Sequence, residues 1–225
     1  MPTPEKIADE KPIRSFVRRT GRFTARQKNA IQAKHACLVD IRNGIITEPT
    51  TTTILEIGFG MGHSFLEMAK AAPDTQFIGI EVYQPGIGTV LAAIQEENLQ
   101  NILIIAEDAK EALPACIANN SLDGVNIFFS DPWPKTRHHK RRLIQPDFVA
   151  LIQTKLKPGG CLHLATDWED YANHMLDVLS HTPSLSNTAS DGGFSKTRHN
   201  RPMTKYEKRG LTLGHPVWDL VFVSN

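Results

Sequence analysis

Cysteine is scarce in this 225-residue chain: Cys37, Cys116 and Cys161 are odd in number, far apart and without a C-x-x-C pairing. That excludes a disulfide framework and fits the reduced thiols of a cytoplasmic protein. Long apolar runs are also lacking. The start, Met1-Pro2-Thr3-Pro4-Glu5-Lys6, has no signal-peptide core, and no later stretch reaches membrane-spanning length. Charge of one sign is missing too, since 25 Lys and Arg against 24 Asp and Glu leave +1. No global field draws the chain to nucleic acid, so any such affinity must be local. The nine histidines form no metal-ligand spacing, and no metal is expected.

What is present is an ordinary globular mixture, 40% hydrophobic and 22% charged, long enough for one sizeable core. Residues 1–23 are polar and basic, with Arg14, Arg18, Arg19 and Arg22 around Phe16 and Phe23, and read as an extended or mobile arm. A single domain is expected over 24–225, its first helix beginning near Thr24. From Thr53 strand-like runs alternate with helical ones. The strands are 53–57, 76–81, 102–105, 125–129 and 161–165, with a closing strand at 217–223. Helical periodicity falls on 63–71, 89–99, 109–118 and 148–156, and the Ser-, Thr-, Asn- and Gly-rich residues 183–195 read as a loop. Continuous apolar strands separated by helices predict an α/β, doubly wound fold: a mostly parallel sheet with helices on both faces.

The first strand runs into Glu56-Ile57-Gly58-Phe59-Gly60-Met61-Gly62, a glycine loop that opens the first crossover helix. Glycines at 58, 60 and 62 allow a tight turn and close approach of a ligand. The spacing is G-x-G-x-G, not the G-x-G-x-x-G of dinucleotide sites, which serve a pyrophosphate. An acid just before the loop, Glu56, instead suits a ligand with an ammonium group. Glu81 ends the second strand, where a carboxylate can accept from both ribose hydroxyls, and Asp108 follows the third, placed for the adenine amine. Three acids at three successive strand ends point to S-adenosylmethionine, and to the class I methyltransferase fold with its seven-stranded sheet.

Ser130-Asp131-Pro132-Trp133-Pro134 follows the fourth strand, where that fold places its reacting groups. Directly behind it comes Lys135-Thr136-Arg137-His138-His139-Lys140-Arg141-Arg142, with five permanent cations in eight residues. A charge run is usually a solvated face. Beside a reaction site in a nearly neutral chain, it suits a polyanion such as RNA. A methyltransferase acting on small molecules or protein, and a catalytically silent RNA-binding protein on the same fold, are the competing readings.

From about Arg14 to its end the chain resembles the bacterial tRNA (guanine-N7)-methyltransferases. The resemblance rests on 56–62, on Gly79-Ile80-Glu81-Val82, on Phe128 through Lys135 and on Ala165-Thr166-Asp167-Trp168-Glu169. Its most specific segment is 201–210, Arg-Pro-Met-Thr-Lys-Tyr-Glu-Lys-Arg-Gly, followed by Leu213-Gly214-His215. Ser130, where the family usually has proline, and Tyr206, where phenylalanine is common, are departures that remove no charged group. The resemblance implies methylation of guanosine 46 in the tRNA variable loop. It further implies that Glu56, Glu81, Asp108 and Asp131 contact the cofactor and that Asp131 is the active-site residue. Lys135, Asp167, Thr204, Lys205, Tyr206 and Glu207 would then meet the substrate, and Arg137, His138, His139, Lys140, Arg141 and Arg142 the RNA. No membrane and no obligate protein partner are expected, and the chain would act as a monomer or homodimer.

Overall fold

A computed structural model describes residues 15–16, 21–204, 207–208, 212, 214 and 216–225. Lys205 and Tyr206, and Arg14, Arg18 and Arg19 of the basic arm, lie outside the described residues. The elements run α1 (Ala25–Gln32), β1 (Leu38–Val39), β2 (Thr53–Ile57), α2 (His63–Ala71), β3 (Gln76–Ile80), α3 (Gln84–Glu97), β4 (Ile102–Ile105) and α4 (Ala109–Cys116). They continue with β5 (Leu122–Phe128), α5 (Pro146–Lys155), β6 (Leu156–Thr166), α6 (Glu169–Ser180), β7 (Leu185–Asn187) and β8 (Trp218–Ser224). No helix among the described residues is long and apolar enough to cross a membrane.

One sheet holds all the strands in the order β1-β4-β3-β2-β5-β6-β8-β7. Pairs among β1 to β6 are parallel, and β8 runs antiparallel to both β6 and β7. Seven of these strands, β2 to β8, form the expected sheet. The two-residue β1 adds an eighth at the edge, where Leu38 and Val39 pair with Ile104 and Ile105.

Side chains alternate between two cores because successive strand residues face opposite ways. Leu55, Ile57, Ile78, Ile80 and Ile105 pack with Leu113 of α4, Phe148 of α5 and Tyr171 of α6. Phe77, Ile102 and Ile104 pack on the other face with Phe65 of α2, Val90 of α3 and Ala30 of α1. Helices therefore cover both faces. The chain winds outward from β2 through β3 to β4, then reverses through β5 to β6. That reversal leaves a crevice beyond the carboxyl ends of β2 and β5, where ligands bind in such sheets.

Three local expectations change. The helix read from 89 begins at Gln84, because Pro85 supplies the fixed φ of a first turn. The stretch read as a loop at 183–195 contains β7, whose Leu185 to Asn187 pair with Ser224 to Phe222. Helix α6 has no counterpart in the periodic segments read from the sequence. Its buried Tyr171, Ala172, Met175, Val178 and Leu179 nevertheless follow helical spacing.

Candidate active site

α1 begins where expected, with Thr24 and Gln27 forming a reciprocal cap. Before it, Ser15 and Phe16 meet two residues that follow β5. The Trp133 indole donates to the Ser15 carbonyl at 3.0 Å, and Arg141 donates to that of Phe16 at 3.4 Å.

The glycine loop holds Gly58, Gly60 and Gly62 at φ of +79°, +56° and +76°, conformations that L side chains rarely adopt. A Cβ on Gly62 would stand 2.1 Å from Val90 Cγ2, so this position also needs glycine for packing. Around Gly58 and Gly60, by contrast, a Cβ would meet nothing within 4 Å. The loop leaves an open cradle on that side. Gly86 at the start of α3 approaches it from the other, since a Cβ there would fall 1.8 Å from the Gly60 carbonyl oxygen.

Glu56 is 3% exposed, and its Oε2 has no hydrogen-bond partner among the described residues. Burial, reinforced by repulsion from Glu81, pushes its carboxyl up to about 8. Glu81 ties the loop together. Gly60 N–H donates to its Oε2 at 2.7 Å, and Val82 and Tyr83 N–H to its Oε1 at 2.7 and 2.9 Å. Its pKa is raised by burial, against these three bonds, with a further push from Asp131. A carboxylate offers about four acceptor positions. The three amides leave one, on Oε2, so the expected contact with two ribose hydroxyls narrows to one as Glu81 stands. Asp108 caps α4, accepting from Lys110 N–H at 3.0 Å through Oδ1. Glu81 repels both Glu56 and Asp131, and its bond from the Gly60 amide fixes it to the glycine loop.

This donor set fits S-adenosylmethionine. A buried carboxylate with an orphaned oxygen suits its ammonium, and the glycine cradle admits the body of the ligand. Among the described residues no cluster of His, Cys, Asp or Glu could hold a metal ion.

Beyond β5 the backbone is strained, with Phe129 at φ +54° and Trp133 at φ +45°. These left-handed residues bracket Asp131, which is exposed at the crevice. The turn is fastened on both sides. Ser130 Oγ lies 3.3 Å from Tyr171 Oη, and Arg142 Nε donates to the Pro132 carbonyl at 2.9 Å.

The cation run forms a 3₁₀ turn, Thr136–Arg141. Its members divide by burial. Arg142 is 3% exposed, paired with Asp170 and packed over the Tyr171 ring. Arg141 stacks its guanidinium 3.8 Å from the Trp133 ring centre. Lys135, Arg137 and Lys140 are exposed, while His138 and His139 are half-buried. Trp133 is thereby covered on one face.

Residues 49% identical to this chain align over 95% of it and 89% of a tRNA (guanine-N(7)-)-methyltransferase from Idiomarina loihiensis. A second enzyme so named, from Paraburkholderia xenovorans, is 50% identical over 97% of this chain and 86% of its own. The chain belongs to the tRNA (guanine-N7)-methyltransferase family. Residues 50–220 also match the family model described as "Putative methyltransferase". Among solved structures, an rRNA methylase from Streptococcus thermophilus superposes with a TM-score of 0.52 at 8% identity, over 82% of this chain and 91% of that one. The aminoglycoside resistance methyltransferase NpmB1 gives 0.51 at 18% identity, over 79% and 90%. Both show the class I methyltransferase fold.

Within this family's site the remaining residues fall into two groups. Asp167 is exposed just past β6, beside Trp168, which is 42% exposed. Thr204 and Glu207 are turned inward. Thr204 Oγ1 accepts from Glu207 N–H at 3.1 Å, and the buried Glu207 carboxylate is held by Arg201. Sequence reasoning missed Trp168, Tyr171 and Arg201 as site residues. An exposed tryptophan beside a candidate substrate acid was readable only once burial was known.

Proposed function

We propose that this chain transfers the methyl group of S-adenosylmethionine to N7 of guanosine 46 in the variable loop of tRNA. The observation that carries the reading is the buried Glu56, with its orphaned oxygen, ahead of an open glycine cradle to which Glu81 is bonded through the Gly60 amide. The names of the relatives supply the acceptor class, and the exposed Lys135, Arg137 and Lys140 supply a local charge for RNA.

When bound, S-adenosylmethionine supplies an electrophilic methyl carbon on a cationic sulfur. Glu56 answers the ammonium, Glu81 holds a ribose hydroxyl with its free acceptor position, and Asp108 meets the adenine amine. Guanine N7 has a lone pair and no proton to lose, so the reaction demands no general base. Asp131 instead accepts from the guanine N1–H and amino group. There it aligns N7 with the methyl carbon and favours the positive charge that develops on the purine. As the N–C bond forms, the S–C bond breaks and its electron pair stays on sulfur.

N7 faces the deep groove of an A-form helix, so the guanosine must be unstacked or presented by a loop. Trp168 is the exposed ring placed to stack on such a base, with Asp167 beside it and Lys205 and Tyr206 completing the substrate contacts. Residues 24–225 act as one domain.

The test uses tRNA transcripts carrying guanosine, adenosine or 7-deazaguanosine at position 46. Transfer to the first alone is expected. Equal transfer to the deaza transcript would place the methyl group elsewhere. Asp131→Asn is expected to lower kcat by about 100-fold without altering the pH profile. An ionisation near neutrality that vanishes in Asp131→Asn would return Asp131 to a base role.

A further inference from the structure

Residues 131–143 carry Asp131 of the reaction turn and the exposed cations Lys135, Arg137 and Lys140. The chain is fastened immediately before and immediately after that stretch, and at the same oxygen. Tyr171 Oη lies 3.3 Å from Ser130 Oγ and accepts from Ile144 N–H at 3.2 Å. Burial pushes the phenol above its usual range, against the effect of those two bonds, so it keeps its proton at neutral pH. With the Ile144 amide as a fixed donor, that proton is free to go to Ser130 Oγ. One hydroxyl therefore closes residues 131–143 into a loop.

Tyr171 is fully buried in the first turn of α6, and its neighbours on that helix take hold of the same segment. The Arg142 guanidinium covers its ring, with the central carbon 5.1 Å from the ring centre. Arg142 in turn donates through Nε to the Pro132 carbonyl at 2.9 Å and pairs through Nη2 with Asp170. Three residues further along α6, His174 Nε2 donates to the Ile144 carbonyl at 2.8 Å.

Asp131 is thus flanked by two tied residues. Ser130 is held by the Tyr171 hydroxyl, and Pro132 by the guanidinium that covers the Tyr171 ring. Just outside them, Phe129 and Trp133 have φ of +54° and +45°. Backbone of that kind persists only where the surrounding structure over-determines it. The ties at Ser130 and Pro132 supply that restraint here.

We propose that Tyr171 is a positioning residue for methyl transfer: by holding Ser130 and Ile144 on one hydroxyl, it fixes the Asp131 turn relative to the cation turn. The proposal rests on the reading of this chain as a tRNA guanine-N7 methyltransferase. The exposed cations hold the RNA backbone, whereas Asp131 must meet one base within it. A shift of about 1 Å between the two leaves binding intact but misaligns N7 with the methyl carbon.

Tyr171→Phe keeps the ring under Arg142 and removes only the hydroxyl. It is expected to lower kcat on tRNA by about tenfold to a hundredfold, with KM for tRNA and affinity for S-adenosylhomocysteine changing by less than about threefold. Ser130→Ala frees one end of the loop and should lower kcat by about threefold to tenfold, again with KM kept. The double variant should lose no more than Tyr171→Phe alone, because both changes break one bond. A merely structural tyrosine would lower stability and leave the kcat of the folded enzyme at the wild-type value, which overturns the proposal. A loss confined to KM, or a full multiplicative loss in the double variant, overturns it as well. If Tyr171→Phe does not fold, Ser130→Ala decides, and wild-type kcat there counts against the proposal. Amide hydrogen exchange supplies a readout independent of activity. The Ile144 amide should exchange faster in Tyr171→Phe, and unchanged exchange contradicts the tie. If the wild-type enzyme methylates no tRNA, the functional reading falls, and the Ile144 exchange rate alone decides the tie.

Discussion

Burial lifts the Glu56 carboxyl to about 8, and the Glu81 charge adds to the shift. In the unfolded chain the same group titrates near its ordinary value of 4.5. Between those values the folded protein holds a proton that the unfolded chain has released. The unfolded state binds fewer protons there, so ligand-free stability falls as pH rises through this window. Glu56→Gln should flatten that fall, as read from denaturant midpoints at pH 5 and pH 8. Binding a cationic ligand reverses the preference, because an ammonium favours the ionised carboxylate. S-adenosylhomocysteine, which keeps the ammonium, should therefore bind with proton release near pH 7, measured by calorimetry in buffers of different ionisation enthalpy. Proton release of the same size in Glu56→Gln would assign the linkage to another group. At this scale the acids at 56, 81, 108 and 131 were legible because each ends a strand or opens the turn after it. Arg201 was not, since its partners lie 6 and 18 residues away in the chain, and His163 is 56 residues from Asp219. Nothing in a local pattern announces a bond across such separations.

Elements carry the next set of consequences. The start of α3 presses on the glycine loop at Gly86, where any Cβ would collide with the Gly60 carbonyl. Gly86→Ala should cost about 1–3 kcal/mol of stability and weaken S-adenosylhomocysteine binding, since backbone rather than a flexible side chain must yield. Full cofactor affinity in that variant would contradict the packing described. The 136–141 turn displays Arg137 and Lys140 while Arg142 is spent on Pro132 and Asp170. Replacing Arg137 and Lys140 by alanine should weaken tRNA binding evenly across sequences and reduce the salt slope by about 1 per cation. Arg142→Ala belongs to a different class: it removes the tie to the reaction turn, so its loss should appear in kcat and stability more than in the salt slope. Helices α2, α4 and α5 were legible from periodicity, whereas β1 is too short to show any. Strand β7 is three residues in a polar stretch, and only pairing with β8 makes it a strand. Helix α6 did carry a helical spacing, but it follows strand β6 across only Asp167 and Trp168.

For the whole molecule, strand–helix alternation was enough to reach a doubly wound sheet, because continuous apolar strands must be covered on both faces. The reversal between β2 and β5 then places the glycine loop and the Asp131 turn at one crevice without further assumption. A net charge of +1 conceals a local basic surface, so the case for RNA rests on position rather than on totals. The acceptor atom is where the chemistry is most exposed to test. An unmodified tRNA transcript incubated with methyl-labelled S-adenosylmethionine, digested to nucleosides and resolved by chromatography, reports that atom directly. Label running with 7-methylguanosine, abolished or nearly so in Asp131→Asn, is the result expected. Label in any other nucleoside, or none in RNA, would contradict methyl transfer to guanine N7.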